Sequence, residues 1–161
     1  MNNRDLPIVL MTHTLPVDWI SQLDEYCQLF IGPVDALEMH PTLVELLPQA
    51  DGLFTLLTIP VTEQTLLQAP KLRVISNMAV GVDNIDVKAC TNRNIPVGNT
   101  PGVLTEATAD LTMALMLSIS RNLPQSSQDA REGRWKTWSP TGWLGTETTW
   151  TVVTECYTVG P

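Results

Sequence analysis

The sequence of 161 residues is poor in cysteine and in positive charge. Its three cysteines, Cys27, Cys90 and Cys156, are an odd number without metal-type spacing, which argues against a disulfide framework and against a zinc site. The sequence has nine Lys and Arg residues and 17 Asp and Glu residues, and this net charge of −8 argues against a nucleic-acid partner, which would require a basic face. We therefore expect no bound metal and no nucleic-acid partner.

Long hydrophobic runs are also lacking. The most apolar stretch, residues 111–119, reaches about half the length of a transmembrane helix, and the amino terminus lacks the apolar segment of a signal peptide. Together with the odd cysteine count, these absences predict a soluble, cytoplasmic protein without a membrane partner. The 43% share of apolar residues is typical of a globular chain with room for one ordinary core.

Short apolar runs alternate with helical patterns through the first hundred residues. The predicted strands span residues 8–11, 52–57, 72–76 and 95–97, and the predicted helices begin at Pro16, near Thr42, after Thr62 and at Asp86. The first helix is expected to extend through Phe30, because apolar residues recur at the helical period up to that position. This order of elements predicts an α/β fold with a doubly wound, mostly parallel sheet.

A longer helix is predicted from Thr105 to about Arg121. Its second half is apolar on nearly all sides, and one domain of this size offers too little sheet to cover it. We expect this helix to pack against a partner or against protein that the chain does not contain. Beyond it, residues 125–147 are expected to form a short helix and an extended arm that carries Trp135, Trp138 and Trp143.

The loop between the strand at 72–76 and the helix capped by Asp86 is the strongest local candidate for a ligand site. Ligands of parallel α/β sheets bind at the carboxyl ends of the strands, where this loop lies. Gly81 lets a ligand approach the backbone, and consecutive amides can bind an anion. The alternative is an ordinary tight turn with a helix cap, which is common in such loops. His13 and His40 are predicted to be an ordinary loop histidine and a surface histidine.

Three ordered blocks of sequence resemble the D-isomer-specific 2-hydroxyacid dehydrogenases, and among them the glyoxylate and hydroxypyruvate reductases. They read Asn-Met-Ala-Val-Gly-Val-Asp-Asn-Ile-Asp at 77–86, Asn-Thr-Pro-Gly-Val-Leu-Thr-Glu-Ala-Thr-Ala-Asp at 99–110, and Gly-Arg-Trp-Lys-Thr-Trp-Ser-Pro-Thr-Gly-Trp-Leu-Gly at 133–145. The resemblance implies a flavodoxin-like substrate domain over residues 1–99. Over 100–147 it implies the hinge, dimerisation helix and tryptophan arm of an incomplete Rossmann nucleotide domain, and residues 148–161 are unlike the family.

The resemblance also implies roles for single residues. The Val80 and Gly81 amides would hold the carboxylate of a small 2-oxo or 2-hydroxy acid, and Leu57 would line the same pocket. Thr108 would lie near NAD or NADP, and Trp138 would reach the partner's active site in a homodimer. From the residues alone, alternatives stay open: the Thr108 hydroxyl could bond to the preceding turn, and the tryptophans could be apolar anchors of the arm.

Parts of the expected chemistry are missing from the sequence. Its nine glycines never form Gly-x-Gly-x-x-Gly, and the arginine, glutamate and histidine used by the family would lie beyond residue 161. We therefore assign no catalytic residue and predict that this chain alone is an inactive front part of a longer enzyme. Residues 148–161 are interpreted as an out-of-frame reading. The rival interpretations are a dimerising or regulatory protein of the same family, and a free-standing flavodoxin-like binding module.

Overall fold

Five strands form one parallel sheet in the order β2-β1-β3-β4-β5. In the computed structural model, which describes residues 6–146, the strands are β1 (Ile8–Met11), β2 (Gln28–Ile31), β3 (Gly52–Thr55), β4 (Val74–Asn77) and β5 (Val97–Gly98). The helices between them are α1 (Val17–Ile20), α2 (Pro41–Leu46), α3 (Glu63–Gln68) and α4 (Val87–Asn92). A parallel sheet in this order is the flavodoxin arrangement. The predicted α/β fold is thus confirmed.

The strand β2 corrects the prediction of one helix from Pro16 through Phe30, which is wrong. Helix α1 covers only Val17–Ile20, and a 3-10 helix at Ser21–Glu25 follows it. The next residues pair with β1, and Phe30 lies opposite Leu10 in that register. Main-chain pairing with a distant strand therefore overrides the local helical period at Phe30. The other predicted elements are present, with ends within two residues of the prediction.

Two helices begin at the caps that the sequence predicts. The Thr62 hydroxyl accepts a hydrogen bond from the Thr65 amide at 3.3 Å at the start of α3. The Asp86 carboxylate accepts one from the Ala89 amide at 2.9 Å at the start of α4. Both side chains satisfy amide groups that the first turn of a helix leaves unpaired.

The core fills one face of the sheet. Leu10, Leu53 and Ile75 lie side by side on neighbouring strands and are buried under α2, α3 and α4. The opposite face is less covered: Val74 is 45% exposed there, and a cavity of about 310 Å³ lies between Val74 and the residues that follow α1.

The contacts of the chain divide it into two units, Met1–Leu104 and Thr105–Pro161. In the second unit, α5 (Thr105–Ser120) and α6 (Leu123–Arg131) precede an irregular arm, as expected. No residue of α5 is buried in this structure, and its large apolar side chains are exposed: Leu111, Met113, Leu115, Met116, Leu117 and Ile119. No helix within 6–146 is long and apolar enough to cross a bilayer. The predicted domain limits stay predictions, and residues 148–161 lie outside the described part.

Candidate functional site

The loops after β3 and β4 leave the sheet side by side at its carboxyl edge. The two strands are neighbours and pair along their full length, so their following loops begin at the same edge. Leu57 lies in the first loop, and Val80 and Gly81 lie in the second; all three residues are exposed. The structure therefore brings together three of the five predicted site residues, at the edge where α/β sheets bind ligands.

In the segment around Val80 and Gly81, the carbonyl groups accept hydrogen bonds, whereas the Val80 and Gly81 amide groups donate none within the described residues. Three consecutive carbonyls accept hydrogen bonds of 2.8 Å: Thr100 N to Ala79 O, Asn99 Nδ2 to Val80 O, and Asn77 Nδ2 to Gly81 O. Within residues 6–146, neither the Val80 nor the Gly81 amide donates a hydrogen bond. Fixed carbonyls with adjacent unused amides give a segment that can bind an anion through its backbone.

Gly81 leaves this segment open on its side-chain face. A Cβ atom at position 81 would lie 3.3 Å from Asp83 Oδ2, and Gly81 does not adopt the left-handed φ of Gly102 (77°). The glycine is therefore not required by the backbone conformation, but it keeps the space beside the amides free. The Asp83 carboxylate opposes the approach of an anion, so the amides must supply the attraction.

Leu57 lies at the centre of a tight turn. The Ile59 amide donates to the Leu56 carbonyl at 3.3 Å, which closes a four-residue turn with Leu57 and Thr58 in the middle. Leu57 itself is 58% exposed. Thr58 Oγ1 lies 3.1 Å from His13 Nε2 and so ties the turn to the loop that follows β1.

His13 is buried and joins three loops at the carboxyl edge. Its Nε2 atom donates to the Ala36 carbonyl at 2.9 Å, and its Nδ1 atom lies 2.8 Å from Thr12 Oγ1. A carbonyl only accepts, so Nε2 carries a proton, and in the neutral ring Nδ1 accepts from the Thr12 hydroxyl. The predicted position of His13 in a loop is confirmed, since it follows β1. The burial was not predicted, since it depends on loops that meet only in the fold. His40 is exposed, as predicted.

Thr108 and Trp138 lie in the second unit, and both are exposed. The Thr108 carbonyl accepts from Thr112 Oγ1 at 2.8 Å, whereas the Thr108 hydroxyl makes no hydrogen bond in the described part of the chain. Its proposed bond to the preceding turn is therefore not observed. Trp138 and Trp135 are 77% and 70% exposed, and Trp143 is 49% exposed. Trp135 and Trp143 line a cavity of about 520 Å³ beside α6, but their exposure does not distinguish them as anchors of the arm. The roles of Thr108 and Trp138 stay predictions.

The residues present do not by themselves form a dinucleotide site. No strand between residues 6 and 146 leads through Gly-x-Gly-x-x-Gly into a helix, which is the arrangement that seats a pyrophosphate. We therefore derive no step of hydride transfer from these residues. Over the same range, no group of three or more His, Cys, Asp or Glu side chains is placed to hold a metal ion.

Comparisons with known proteins connect this arrangement with one family. The family model of the D-isomer specific 2-hydroxyacid dehydrogenases, catalytic domain, matches residues 9–158. The glyoxylate reductase of Korarchaeum cryptofilum is 40% identical over 140 residues, which cover 86% of this chain and 42% of the relative.

Solved structures give the same result at the level of the fold. The TT0316 protein from Thermus thermophilus matches with a TM-score of 0.78 and 37% identity, over 86% of this chain and 45% of that protein. The D-lactate dehydrogenase from Aquifex aeolicus, solved with NAD and lactic acid, matches with a TM-score of 0.71 and 21% identity. The match covers 87% of this chain and 41% of that protein. At this identity the likeness concerns the fold alone. The chain thus spans less than half the length of the curated relatives it matches.

Proposed function

The chain belongs to the D-isomer specific 2-hydroxyacid dehydrogenase family, and we propose that its first unit binds the carboxylate of a small 2-oxo acid, of the glyoxylate or hydroxypyruvate type. The observation that carries the proposal is the pair of unused amides at Val80 and Gly81, beside the turn that bears Leu57. Two backbone amides can donate to one carboxylate, and such charge-assisted bonds are stronger than neutral ones. The relatives named glyoxylate reductase support this substrate class.

In the complete enzyme the reaction would be reduction of the 2-oxo acid. NADH or NADPH would supply the hydride, and Thr108 would lie near this cofactor. The residues of this chain would bind and orient the substrate: fixing its carboxylate fixes the position of the neighbouring carbonyl carbon, which lowers the entropic part of the barrier. The free thiols of Cys27 and Cys90 support a reducing, cytoplasmic compartment.

A titration with glycolate, the 2-hydroxy acid that corresponds to glyoxylate, tests the binding site. Amide NMR spectra of the chain are expected to show saturable shifts at Val80 and Gly81, because these amides would donate to the carboxylate. Ethylene glycol replaces the carboxylate by an alcohol, and it should leave both signals in place. Shifts confined to other residues, or none at Val80 and Gly81, would refute the site.

An assay of the purified 161-residue chain tests its lack of turnover. With glyoxylate or hydroxypyruvate and either NADH or NADPH, we expect no oxidation of the cofactor, since the chain has no assigned catalytic residue and no glycine fingerprint. A complete relative serves as the positive control. Clear cofactor oxidation by the chain would overturn this part of the proposal.

The exposed apolar surface of α5 favours a second role, in assembly. We propose that α5 packs against a second copy of the chain, with Trp138 reaching the partner's substrate site. In the regulatory alternative, the same surface would pair with a complete relative instead. Co-expression with a complete relative followed by size exclusion separates the two, because only the regulatory protein is expected to co-elute with the relative.

A further inference from the structure

The two loops of the proposed carboxylate site are joined by one asparagine side chain. We propose that Asn84 is a positioning residue, which holds the turn that bears Leu57 in a fixed place relative to the Val80–Gly81 amides. This inference rests on the proposed function, since it assigns Asn84 a part in binding the substrate rather than in folding alone.

The Asn84 amide group contacts both ends of the turn. Its Nδ2 atom donates to the Leu56 carbonyl at 3.1 Å and to the Ile59 carbonyl at 3.2 Å. Those two residues flank the turn that places Leu57 at its centre. One side chain from the loop after β4 therefore fixes both ends of the turn after β3.

Asn77 continues this connection toward the amides. Its side chain is buried, with 1% of its surface exposed, and its Nδ2 atom donates to Asn84 Oδ1 at 3.2 Å and to the Gly81 carbonyl at 2.8 Å. A chain of hydrogen bonds thus runs from the turn through Asn84 and Asn77 to Gly81. Such networks are strong in a shielded interior because each bond polarises the next.

The backbone of Asn84 is fixed independently of its side chain. The Val61 amide donates to the Asn84 carbonyl at 2.7 Å, and the Asp86 amide donates to the Val61 carbonyl at 2.9 Å. These bonds join the segments that lead into α3 and α4. A change of the Asn84 side chain is therefore expected to leave these backbone bonds in place while it removes side-chain bonds to the turn.

Two substitutions at Asn84 distinguish the hydrogen bonds that its side chain donates from those that it accepts. Asn84→Asp keeps the shape and still accepts from Asn77, but a carboxylate cannot donate to the Leu56 and Ile59 carbonyls. Asn84→Ala removes all of these bonds without adding a charge. Asn92→Ala, at an exposed asparagine in α4, is the matched control, and Ile95→Val lowers stability at a buried core position outside the loops after β3 and β4.

Glycolate affinity, measured by the amide shifts of Val80 and Gly81, is the first readout. We expect both Asn84 variants to bind roughly three- to tenfold more weakly than the unchanged chain, as loss of these bonds predicts. Asn92→Ala and Ile95→Val should bind like the unchanged chain. Weakening in Asn84→Asp alone would be an effect of charge and would overturn the proposal, as would equal weakening in Ile95→Val.

Amide hydrogen exchange at Ile59 is the second readout, and it does not depend on the ligand. The Ile59 amide closes the turn, so its exchange should become faster in both Asn84 variants and stay unchanged in Asn92→Ala. If the unchanged chain fails to bind glycolate, the proposed function fails, and the positioning claim is then judged on this exchange rate. An unchanged exchange rate of the Ile59 amide in both Asn84 variants would contradict the positioning role of Asn84.

Discussion

At the scale of single residues, Gly102 and Gly81 are glycine for different physical reasons. Gly102 has a φ of 77° and nothing within 4 Å of a Cβ, so its backbone conformation calls for glycine. Gly81 has no such φ, and its Cβ position lies 3.3 Å from the flexible end of Asp83. The lack of a side chain at Gly81 therefore keeps the amides accessible to a ligand and is not required by the backbone conformation.

The two glycines give opposite predictions for substitution by alanine. Gly81→Ala should change the free energy of unfolding by less than about 0.5 kcal/mol but weaken glycolate binding, because the new methyl group stands beside the donor amides. Gly102→Ala should cost about 1–2 kcal/mol through strain and leave binding intact. Urea denaturation and the glycolate titration measure the two effects. A Gly81→Ala chain that binds normally would contradict the role in access.

The described cysteines provide a prediction about reactivity. Burial raises the pKa of both the Cys27 and Cys90 thiols, and the nearby carboxylates of Asp24 and Asp86, respectively, raise it further, whereas Arg93 lowers that of Cys90. A thiol with a raised pKa stays protonated to a higher pH in the folded chain than in the unfolded chain. Its stabilising effect is therefore complete below the unfolded pKa of about 8.5 and is lost as pH rises through the folded value.

Iodoacetamide at a pH of about 8.5 should therefore modify Cys27 and Cys90 slowly in the folded chain and rapidly in urea, since the thiolate is the reactive form. Peptide mass spectrometry after timed quenching measures each site separately. Equal rates in the folded and unfolded chain would contradict the burial of these thiols.

At the scale of elements, α3 shows how burial rather than residue type sets stability. Leu66 and Leu67 are neighbours in this helix, but Leu66 is fully buried and Leu67 is 70% exposed. Leu66→Ala should therefore lower the free energy of unfolding by about 2–5 kcal/mol, and Leu67→Ala by less than about 0.5 kcal/mol. Urea denaturation of both variants measures the difference. Similar losses at the two positions would contradict the packing of α3 on the sheet.

The elements that could be predicted from the sequence are those with local signals. The caps Thr62 and Asp86 and the apolar run of β1 lie within a few residues of the elements they define. β2 could not be predicted in this way, because its strand character comes from pairing with β1. The site residues differ in the same way. Val80 and Gly81 could be predicted because they lie in a local motif. The contacts of Asn84 and His13 could not be predicted, because they join loops that are distant in sequence.

At the scale of the whole molecule, α5 is the helix on which the proposed assembly rests. No residue of this helix is buried, and its large apolar side chains are 44–73% exposed. A contiguous exposed apolar surface is typical of an interaction site. On the proposed assembly this surface is covered by a second copy of the chain.

Sedimentation equilibrium tests this self-association. We expect the chain to form dimers, and Leu115→Lys to shift the equilibrium toward monomer by placing a charge on the apolar surface of α5. Gln125→Lys puts the same charge on the exposed surface of α6 and should leave the mass unchanged. A chain that stays monomeric at every concentration would contradict the proposal for α5.

The central claim is that backbone amides at the carboxyl edge of the sheet bind a substrate carboxylate. A crystal structure of the chain with glycolate tests it most directly. We expect the carboxylate oxygens at hydrogen-bond distance, about 2.7–3.2 Å, from the amide nitrogens of Val80 and Gly81, with the turn of Leu57 beside them. Glycolate bound elsewhere, with both amides unoccupied, would contradict it.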